Sequence, residues 1–137
     1  MVAASAPESA SVPAPAVLPA LFDTCILIDY LRGVEPARAV CDRHSDRAIS
    51  IITWMEVLVG ATAAHEAPAR ALLQHFRLLP LTPPIAEQAV AIRKASRIKL
   101  PGAIILATAE ISGRTLITRN TRDFPATTPQ IHIPYTL

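Results

Sequence analysis

Short apolar runs alternate with longer amphipathic segments along this chain from about residue 18 to the end. The runs predict strands at Leu18–Phe22, Ala48–Ile52, Leu78–Leu81, Leu116–Ile117 and Ile131–Tyr135. The segments between them predict helices at Thr24–Leu31, Glu35–Arg47, Thr53 onward, Pro68–His75, Pro84–Ser96 and Gly102 to about Gly113. Pro80 interrupts the third strand and suits an edge position. Strands that alternate with helices predict an α/β fold with three layers, α/β/α, around a mainly parallel sheet.

The first 19 residues follow a different pattern. They are mostly Ala, Pro, Ser and Val, and their four prolines exclude a helix. We therefore expect a flexible tail over residues 1–19, followed by a single domain over residues 20–137. The tail lacks the basic start and unbroken apolar core of a secretory signal, and no segment is long enough to span a membrane. A cytoplasmic protein without membrane contact is the expectation.

Composition changes this picture little. Of the 137 residues, 51% are hydrophobic, which suits a sheet covered on both faces, and the net charge of +2 permits contact with a nucleic acid without requiring it. Cys25 and Cys41 lack the spacing of a metal site or a disulfide framework, so they are predicted to be free thiols. We expect His44 to be solvated. His65 and His75 have no partner at ligand spacing, and we expect them to be solvated or structural.

Polar side chains follow the first and fourth predicted strands. Asp23 comes directly after the first strand, and the loop after Leu116–Ile117 carries Thr118, Asn120 and Asp123. Functional groups collect at the carboxyl ends of strands in an open parallel sheet. Each residue alone also has a structural explanation, because Asp23 suits a helix N-cap, and Asn and Asp in turns bond their own backbone.

Glu56 follows the second predicted strand and has a competing explanation. Thr53 and Glu56 fit the capping box, in which a carboxylate in the first helical turn reaches back to the amide of the cap residue. That role would account for Glu56 without any ligand. The functional interpretation gains weight only because Asp23 and Asp123 occupy equivalent places after their own strands.

The three carboxylates of Asp23, Glu56 and Asp123 are thus expected at one edge of the sheet. They would repel one another unless a cation lay between them. Ligands that are all oxygen favour a hard ion, Mg²⁺ or Mn²⁺. Such an ion polarises a phosphodiester oxygen and lowers the pKa of its bound water, so the residues predict metal-assisted hydrolysis of a nucleic-acid backbone.

Four stretches of the chain resemble the PIN-domain ribonucleases, and among them the VapC-type toxins of type II toxin–antitoxin pairs. They are FDTCILIDYLRG (residues 22–33), ITWMEVLVG (residues 52–60), KLPGAIILATA (residues 99–109) and LITRNTRDF (residues 116–124). Each stretch alone is a weak signal. Together they lie in the order and spacing of the family, from about residue 21 to residue 125.

The resemblance implies a compact PIN-like fold and Mg²⁺- or Mn²⁺-dependent endoribonuclease activity. By position, it implies that Asp23, Glu56 and Asp123 are catalytic acids that also bind the metal, with Thr118 and Asn120 as supporting polar groups. It further implies a homodimer, and inhibition by a small VapB-like antitoxin.

The chain departs from the family at Gly102, where the pattern Lys-Leu-Pro-Asp-Ala has a further acid. Glu110 does not replace it, because it lies roughly 12 Å further along the predicted helix. The resemblance therefore implies a site that is one ligand short, in a naturally degenerate protein or in a variant whose toxicity was removed. The alternative is a PIN-like module that binds RNA or antitoxin without cleaving RNA. A flavodoxin-like regulator with an acidic pocket would explain neither Glu56 nor the arginines near Asp123.

Cationic side chains lie near both ends of the candidate site. They are Arg93, Lys94, Arg97 and Lys99 before Gly102, and Arg119 and Arg122 beside Asp123. A run of charges is most commonly a solvated face. If RNA binds, these residues predict the path of its phosphates.

Overall fold

A computed structural model describes residues 18–125 and 127–137, and this part of the chain forms six helices and five strands. The helices are α1 (Thr24–Leu31), α2 (Glu35–Arg43), α3 (Ile51–Gly60), α4 (Glu66–Leu73), α5 (Pro83–Ala95) and α6 (Leu100–Ser112). The strands are β1 (Ala20–Phe22), β2 (Arg47–Ser50), β3 (Arg77–Leu79), β4 (Thr115–Ile117) and β5 (Ile131–His132).

The five strands form one sheet in the order β3-β2-β1-β4-β5, and every neighbouring pair is parallel. The predicted α/β fold is confirmed. Strand β3 lies at one edge of the sheet, as expected, and β5 lies at the other. In the centre, Phe22 of β1 pairs with Ile117 of β4. The amide of Asp23 continues this pairing by donating to the carbonyl oxygen of Ile117 at 2.9 Å. The residue after β1 and the loop after β4 therefore begin side by side.

Alternate residues of the central strands face opposite layers. Phe22, Ile49 and Ile117 join a buried cluster with α1 to α4, whereas Leu21 and Leu116 join another with α6. This alternation is the period of two that a strand imposes on its side chains. Helix α5 packs on α6 from outside through a third cluster. The central strands are thus buried on both faces, as parallel sheets require.

Helix boundaries agree with the sequence in α1 and differ in α3 and α6. Helix α1 spans the predicted residues and stops before Gly33, whose φ of 81° suits glycine. Strand β2 ends at Ser50, whose hydroxyl oxygen accepts a hydrogen bond from the amide of Ile52 at 3.0 Å and caps α3. The prediction that Thr53 is the cap is therefore wrong. Helix α6 begins at Leu100 and not at Gly102, and it ends at Ser112, where Gly113 follows as the cap residue with a φ of 68°.

His44 was expected to be solvated, and that expectation is wrong. Its side chain is only 2% exposed, and its ring meets the ring of Phe22 edge-on with 5.5 Å between centroids. Its Nδ1 lies 3.3 Å from the carbonyl oxygen of Leu18. Because α2 ends at Arg43, the chain turns back towards the sheet there and carries the ring into the core. His65 and His75 are exposed.

Three further expectations concern the chain as a whole. Cys25 and Cys41 are free thiols, as predicted. Within residues 18–125 and 127–137, no helix combines the length and the apolar character needed to cross a membrane. The predicted flexible tail over residues 1–19 lies, up to residue 17, outside the described residues.

The buried position of His44 predicts a pH-dependent stability. Burial lowers the pKa of His44, the carbonyl of Leu18 acts in the opposite direction, and the charges of Arg43, His132 and Arg47 lower it further. The folded protein therefore keeps the ring neutral to a lower pH than the unfolded chain, which takes up a proton near pH 6.5. The unfolded state binds more protons, so the free energy of unfolding decreases as the pH falls below about 6.5, by at most ~1.4 kcal/mol per pH unit for this group.

Urea unfolding at pH 7.5 and pH 5.5 measures this effect. His44→Gln should reduce the difference in the free energy of unfolding between the two pH values. His75→Gln, which changes an exposed histidine, is the matched control and should leave the difference as it is. An equal reduction in both variants would show that His44 is not responsible.

Candidate active site

Asp23 lies at the junction of β1 and α1 and is only 6% exposed. One carboxylate oxygen, Oδ1, accepts a hydrogen bond from the amide of Thr24 at 2.8 Å and caps α1. The other, Oδ2, accepts one from the hydroxyl of Thr118 at 2.7 Å. The capping role and the position at the sheet edge, both predicted for Asp23, therefore occur together. The carboxylate is fixed from α1 and from the end of β4.

The pKa of Asp23 lies above its ordinary value. Burial is the largest cause, the hydrogen bonds from Thr118, the Thr24 amide and the Cys25 thiol act against it, and the charge of Glu56 raises the pKa further. The thiol sulfur of Cys25 is 3.6 Å from Oδ2 of Asp23. Burial and then the charge of Asp23 raise the pKa of Cys25 to about 11, so the thiol stays protonated at neutral pH and acts as a donor.

Glu56 lies on α3 and points towards α1. Its Oε1 accepts a hydrogen bond from the hydroxyl of Thr24 at 2.7 Å, and that hydroxyl oxygen is also 3.1 Å from the hydroxyl oxygen of Thr53. The capping-box explanation of Glu56 is therefore wrong, because the carboxylate bonds a neighbouring helix and Ser50 caps α3. Glu56 is exposed but tied to the residue that follows Asp23.

Asp123 is half-buried in the loop after β4. Its Oδ2 accepts a hydrogen bond from the side-chain amide of Asn120 at 3.1 Å, and its own amide donates to Oδ1 of Asn120 at 3.3 Å. The amide of Asn120 in turn donates to the hydroxyl oxygen of Thr118 at 3.0 Å. The turn bonds expected of Asn120 are present, and the same residue holds the carboxylate of Asp123.

One pocket of about 500 Å³ brings the predicted acids together. Its lining includes Asp23, Glu56, Asp123, Asn120, Gly102 and Lys99. Thr118 does not line it and acts from behind, through Asp23. We call this the acid pocket.

The donor atoms of the acid pocket are of the type that binds a hard cation. Its acidic donors are carboxylate oxygens, the ligands that Mg²⁺ and Mn²⁺ prefer, and none of the three acids forms a salt bridge within the described residues. The same residues contain no group of three His, Cys, Asp or Glu side chains arranged to hold a metal ion. The donors fit in type and charge but are too few or too far apart, and an absent acid at position 102 would have this effect.

Gly102 is the third residue of α6, and Lys99 is the cap residue. A Cβ atom added to Gly102 would lie 3.1 Å from Cγ2 of Ile98 and 3.4 Å from Cζ of Phe124. The first contact is tight, but Ile98 is a half-buried side chain outside any helix and a shift of a few tenths of an ångström relieves it. A carboxylate in this first turn would face the positive end of the helix dipole. The backbone of α6 therefore accepts an acid here.

A second pocket of about 560 Å³ adjoins the acid pocket and shares Asp123 and Asn120 with it. Its lining includes three of the predicted RNA-binding cations, Lys99, Arg119 and Arg122. We call this the cationic pocket. The remaining cations, Arg93, Lys94 and Arg97, are exposed and line neither pocket.

Arg119 has a second set of contacts. Its Nε donates to Oδ2 of Asp29, and its Nη2 donates to Oδ1 of the same carboxylate at 3.0 Å. Asp29 is 1% exposed and also accepts a hydrogen bond from the hydroxyl of Tyr135 at 2.7 Å. Burial acts to raise the pKa of Asp29, but the hydrogen bonds from Arg119 and Tyr135 and the positive charge outweigh it, so the pKa lies below its ordinary value. RNA binding by Arg119 stays a prediction, with fewer free donors than the sequence suggested.

Sequence reasoning missed Thr24, Thr53, Asp29 and Tyr135. A local signal existed for the threonines, because Thr24 follows Asp23 directly and Thr53 lies one helical turn before Glu56, on the same face. No local signal links Asp29 to its partners, since Arg119 and Tyr135 lie 90 and 106 residues further along the chain.

Comparisons with known proteins agree with this architecture. The family model of the PIN domain matches residues 20–128. Ribonuclease VapC10 from Mycobacterium tuberculosis is 34% identical over 113 residues, which are 77% of this chain and 85% of that protein. A toxin–antitoxin complex from Klebsiella pneumoniae contains a chain that superposes with a TM-score of 0.81 at 47% identity, over 86% of this chain and 99% of that one. FitAcB from Neisseria gonorrhoeae superposes with a TM-score of 0.70 at 27% identity, over 86% and 99%.

The matched span includes β1, β4 and every residue of the acid pocket. Because the family model and the relatives extend over most of the chain, the protein belongs to the PIN-domain family, among the VapC-type proteins.

Proposed function

We propose that this chain is the toxin of a toxin–antitoxin pair, a VapC-type endoribonuclease that hydrolyses RNA phosphodiester bonds in the cytoplasm with the help of a divalent metal ion. The observation that carries the proposal is the acid pocket, which Asp23, Glu56 and Asp123 line together beside the carboxyl ends of the parallel strands. A relative that is a ribonuclease and a similar chain in a toxin–antitoxin complex support it.

In this proposal Asp23, Glu56 and Asp123 are the catalytic acids and would hold Mg²⁺ or Mn²⁺. Such an ion, when bound, would supply polarisation of the phosphodiester and a lowered pKa of its water. Asp23 supplies a rigid oxygen donor, because both its oxygens are fixed by hydrogen bonds. Thr118 orients Asp23, and Asn120 orients Asp123.

Gly102 impairs cleavage in this chain, because the acid pocket lacks a carboxylate on α6. The alternative function is that of a catalytically degenerate module that retains contacts with RNA or antitoxin, and Gly102 is the observation in its favour. The two differ in one respect. Restoring an acid at position 102 revives the impaired enzyme, but a module degenerate at further positions stays inactive.

RNA lies across the cationic pocket, next to Asp123. Lys99 and Arg122 are exposed there and supply phosphate contacts beside the acids. Arg93, Lys94 and Arg97 extend the positive surface at the end of α5 and in the turn before α6. Arg119 contributes less, since two of its donors bind Asp29.

A VapB-like antitoxin binds an apolar groove of about 430 Å³ between α1, α3 and α4. Its walls include Ile28, Leu31, Val57 and Pro68, with Arg32 and His65 also in the lining. Ile28 lines the acid pocket too, so the groove borders the site. An amphipathic segment that lays its apolar face in such a groove suits this shape. We propose that the complex contains a homodimer of this chain.

The first prediction of this function concerns position 102. Gly102→Asp should raise Mn²⁺-dependent cleavage of an RNA oligonucleotide by roughly 100-fold or more, because lost contacts around a metal typically cost 10- to 100-fold and a missing direct ligand should cost at least as much. Initial rates over a range of MnCl₂ concentrations measure it.

Gly102→Asn is the matched control for that experiment. The Asn side chain has nearly the same volume as the Asp side chain and meets Ile98 in the same way, but it carries no charge. An equal gain in the Asn variant would show that the negative charge at position 102 is not responsible for the effect. If Gly102→Asp leaves the rate unchanged while the original chain already cleaves RNA, three acids suffice and the site is not impaired.

The second prediction separates the cations by role. Lys99→Ala and Arg122→Ala should each weaken binding of single-stranded RNA and flatten the slope of log K against log salt by about 0.7 per lost phosphate contact. Arg119→Ala should mainly lower the free energy of unfolding, because it leaves the buried carboxylate of Asp29 without its cation. Fluorescence titrations at four salt concentrations and urea unfolding give the two readouts. An unchanged slope in Lys99→Ala and Arg122→Ala would remove the cationic pocket from the RNA surface.

The third prediction concerns the groove. Leu31→Glu places a charge in its wall and should abolish co-purification with the small protein encoded next to this chain. Ile111→Glu is the matched control, since it changes a similarly exposed apolar residue at the end of α6, outside the groove. Retention of the partner by Leu31→Glu, or its loss in both variants, would contradict docking in the groove.

A further inference from the structure

We propose that Tyr135 and Asp29 are positioning residues, which act through Arg119 to clamp the acid-bearing loop after β4 onto α1. Residues 118–123 are called the acid loop below. The effect of this clamp on RNA cleavage rests on the proposed function. Its effect on the acid loop itself does not.

The clamp joins three distant parts of the chain at one buried carboxylate. Asp29 lies in α1, Arg119 in the acid loop, and Tyr135 in the segment after β5. Oδ2 of Asp29 accepts both Nε of Arg119 and the hydroxyl of Tyr135, and Oδ1 accepts Nη2 of Arg119. Both donor side chains, those of Arg119 and Tyr135, thus bind a carboxylate that is almost completely shielded from water. A two-pronged contact of this kind fixes orientation as well as distance.

The clamp holds the acid loop between the two residues that bind the acids. Arg119 lies between Thr118, which donates to Asp23, and Asn120, which donates to Asp123. Asp23 begins the same helix that carries Asp29. Fixing Arg119 on Asp29 therefore fixes the two ends of the acid pocket relative to each other.

Apart from the amide of Thr118, which donates to the carbonyl oxygen of His132 at 3.1 Å, the other hydrogen bonds of the acid loop are mostly local. The amides of Asn120, Asp123 and Phe124 bond atoms of Thr118 or Asn120, all within the loop or at its ends. Such bonds give the loop its shape without fixing it to the rest of the fold. The clamp and the bond from Thr118 to Asp23 tie it to α1, and Phe124 anchors its far end in the core. Tyr135 makes the segment after β5 part of the acid site, although it lies outside the acid pocket.

A charged pair elsewhere offers a comparison. Arg114 lies before β4, at the opposite end of that strand, and binds Asp46 at 2.8 Å. The side chain of Arg114 is 10% exposed and that of Asp46 is 47% exposed, so this pair stabilises the fold from a partly buried position. Among the described residues, these two side chains form no hydrogen bond with a residue of the acid pocket. If Tyr135 had a purely structural role, a substitution of Tyr135 would have the same effects as a substitution in the pair of Arg114 and Asp46.

Amide hydrogen exchange on the full chain tests the clamp without reference to activity. Tyr135→Phe removes one hydroxyl and keeps the ring. It should speed exchange of the Asn120, Asp123 and Phe124 amides by at least about tenfold, the factor expected when a hydrogen bond to a charged group is lost. Asp46→Asn, compared at equal global stability, should leave these three amides unchanged. Equal effects of both variants, or no effect of Tyr135→Phe, would overturn the clamp.

Cleavage in the Gly102→Asp background gives the second readout. There, Tyr135→Phe should lower kcat about tenfold and weaken activation by Mn²⁺, while Asp46→Asn leaves both unchanged. Arg119→Lys keeps the charge but should lower kcat in the same way, because an ammonium cannot make the two-pronged contact with Asp29. If Arg119→Lys in this background cleaves RNA as well as Gly102→Asp alone, the geometry of the clamp is unimportant and the proposal fails. Absence of cleavage in every variant, together with the predicted exchange pattern, would contradict the ribonuclease function and support the clamp.

Discussion

The carboxylate of Asp23 is held at the end of the central strand, where it is only 6% exposed. A desolvated charge of this kind is costly, and its raised pKa expresses that cost. The parallel pairing of β1 with β4 reduces it by bringing the hydroxyl of Thr118 to one oxygen, while the start of α1 brings an amide to the other. Both donors are fixed by the fold, so the carboxylate has one orientation, with its remaining acceptor capacity available to the acid pocket.

The rest of the site depends on this arrangement. Thr24 follows Asp23 and binds Glu56, so the second acid is oriented by the helix that the first acid caps. Thr118 accepts the amide of Asn120, which holds Asp123. The charges of these acids are not neutralised by a salt bridge within the described residues, and a cation would relieve their repulsion. Gly102 adds no further negative charge to the acid pocket, and it offers a cation no side-chain oxygen.

Local signals in the sequence predict the parallel sheet and the acids that follow β1 and β4. These signals are the spacing of apolar residues and the polar residues that come directly after the strands. Residues whose partners are distant could not be assigned. The burial of His44 depends on where α2 ends, and Arg119 is engaged by a carboxylate 90 residues away. The cap of α3 was misassigned because Ser50 and Thr53 are both good cap residues, and only the end of β2 decides between them. Gly102 was recognised as a departure from a pattern, but its place in the first turn of α6 required the structure.

We propose that Asp23, Glu56 and Asp123 belong to a metal site that is short of one acid. Diffraction from crystals of Gly102→Asp grown with MnCl₂, recorded on both sides of the manganese absorption edge, tests this proposal. One strong anomalous peak is expected in the acid pocket, in contact with the carboxylates of Asp23 and of the aspartate introduced at position 102, and a weaker peak or none in the original chain. Manganese bound outside the acid pocket, or equal peaks in both proteins, would contradict it.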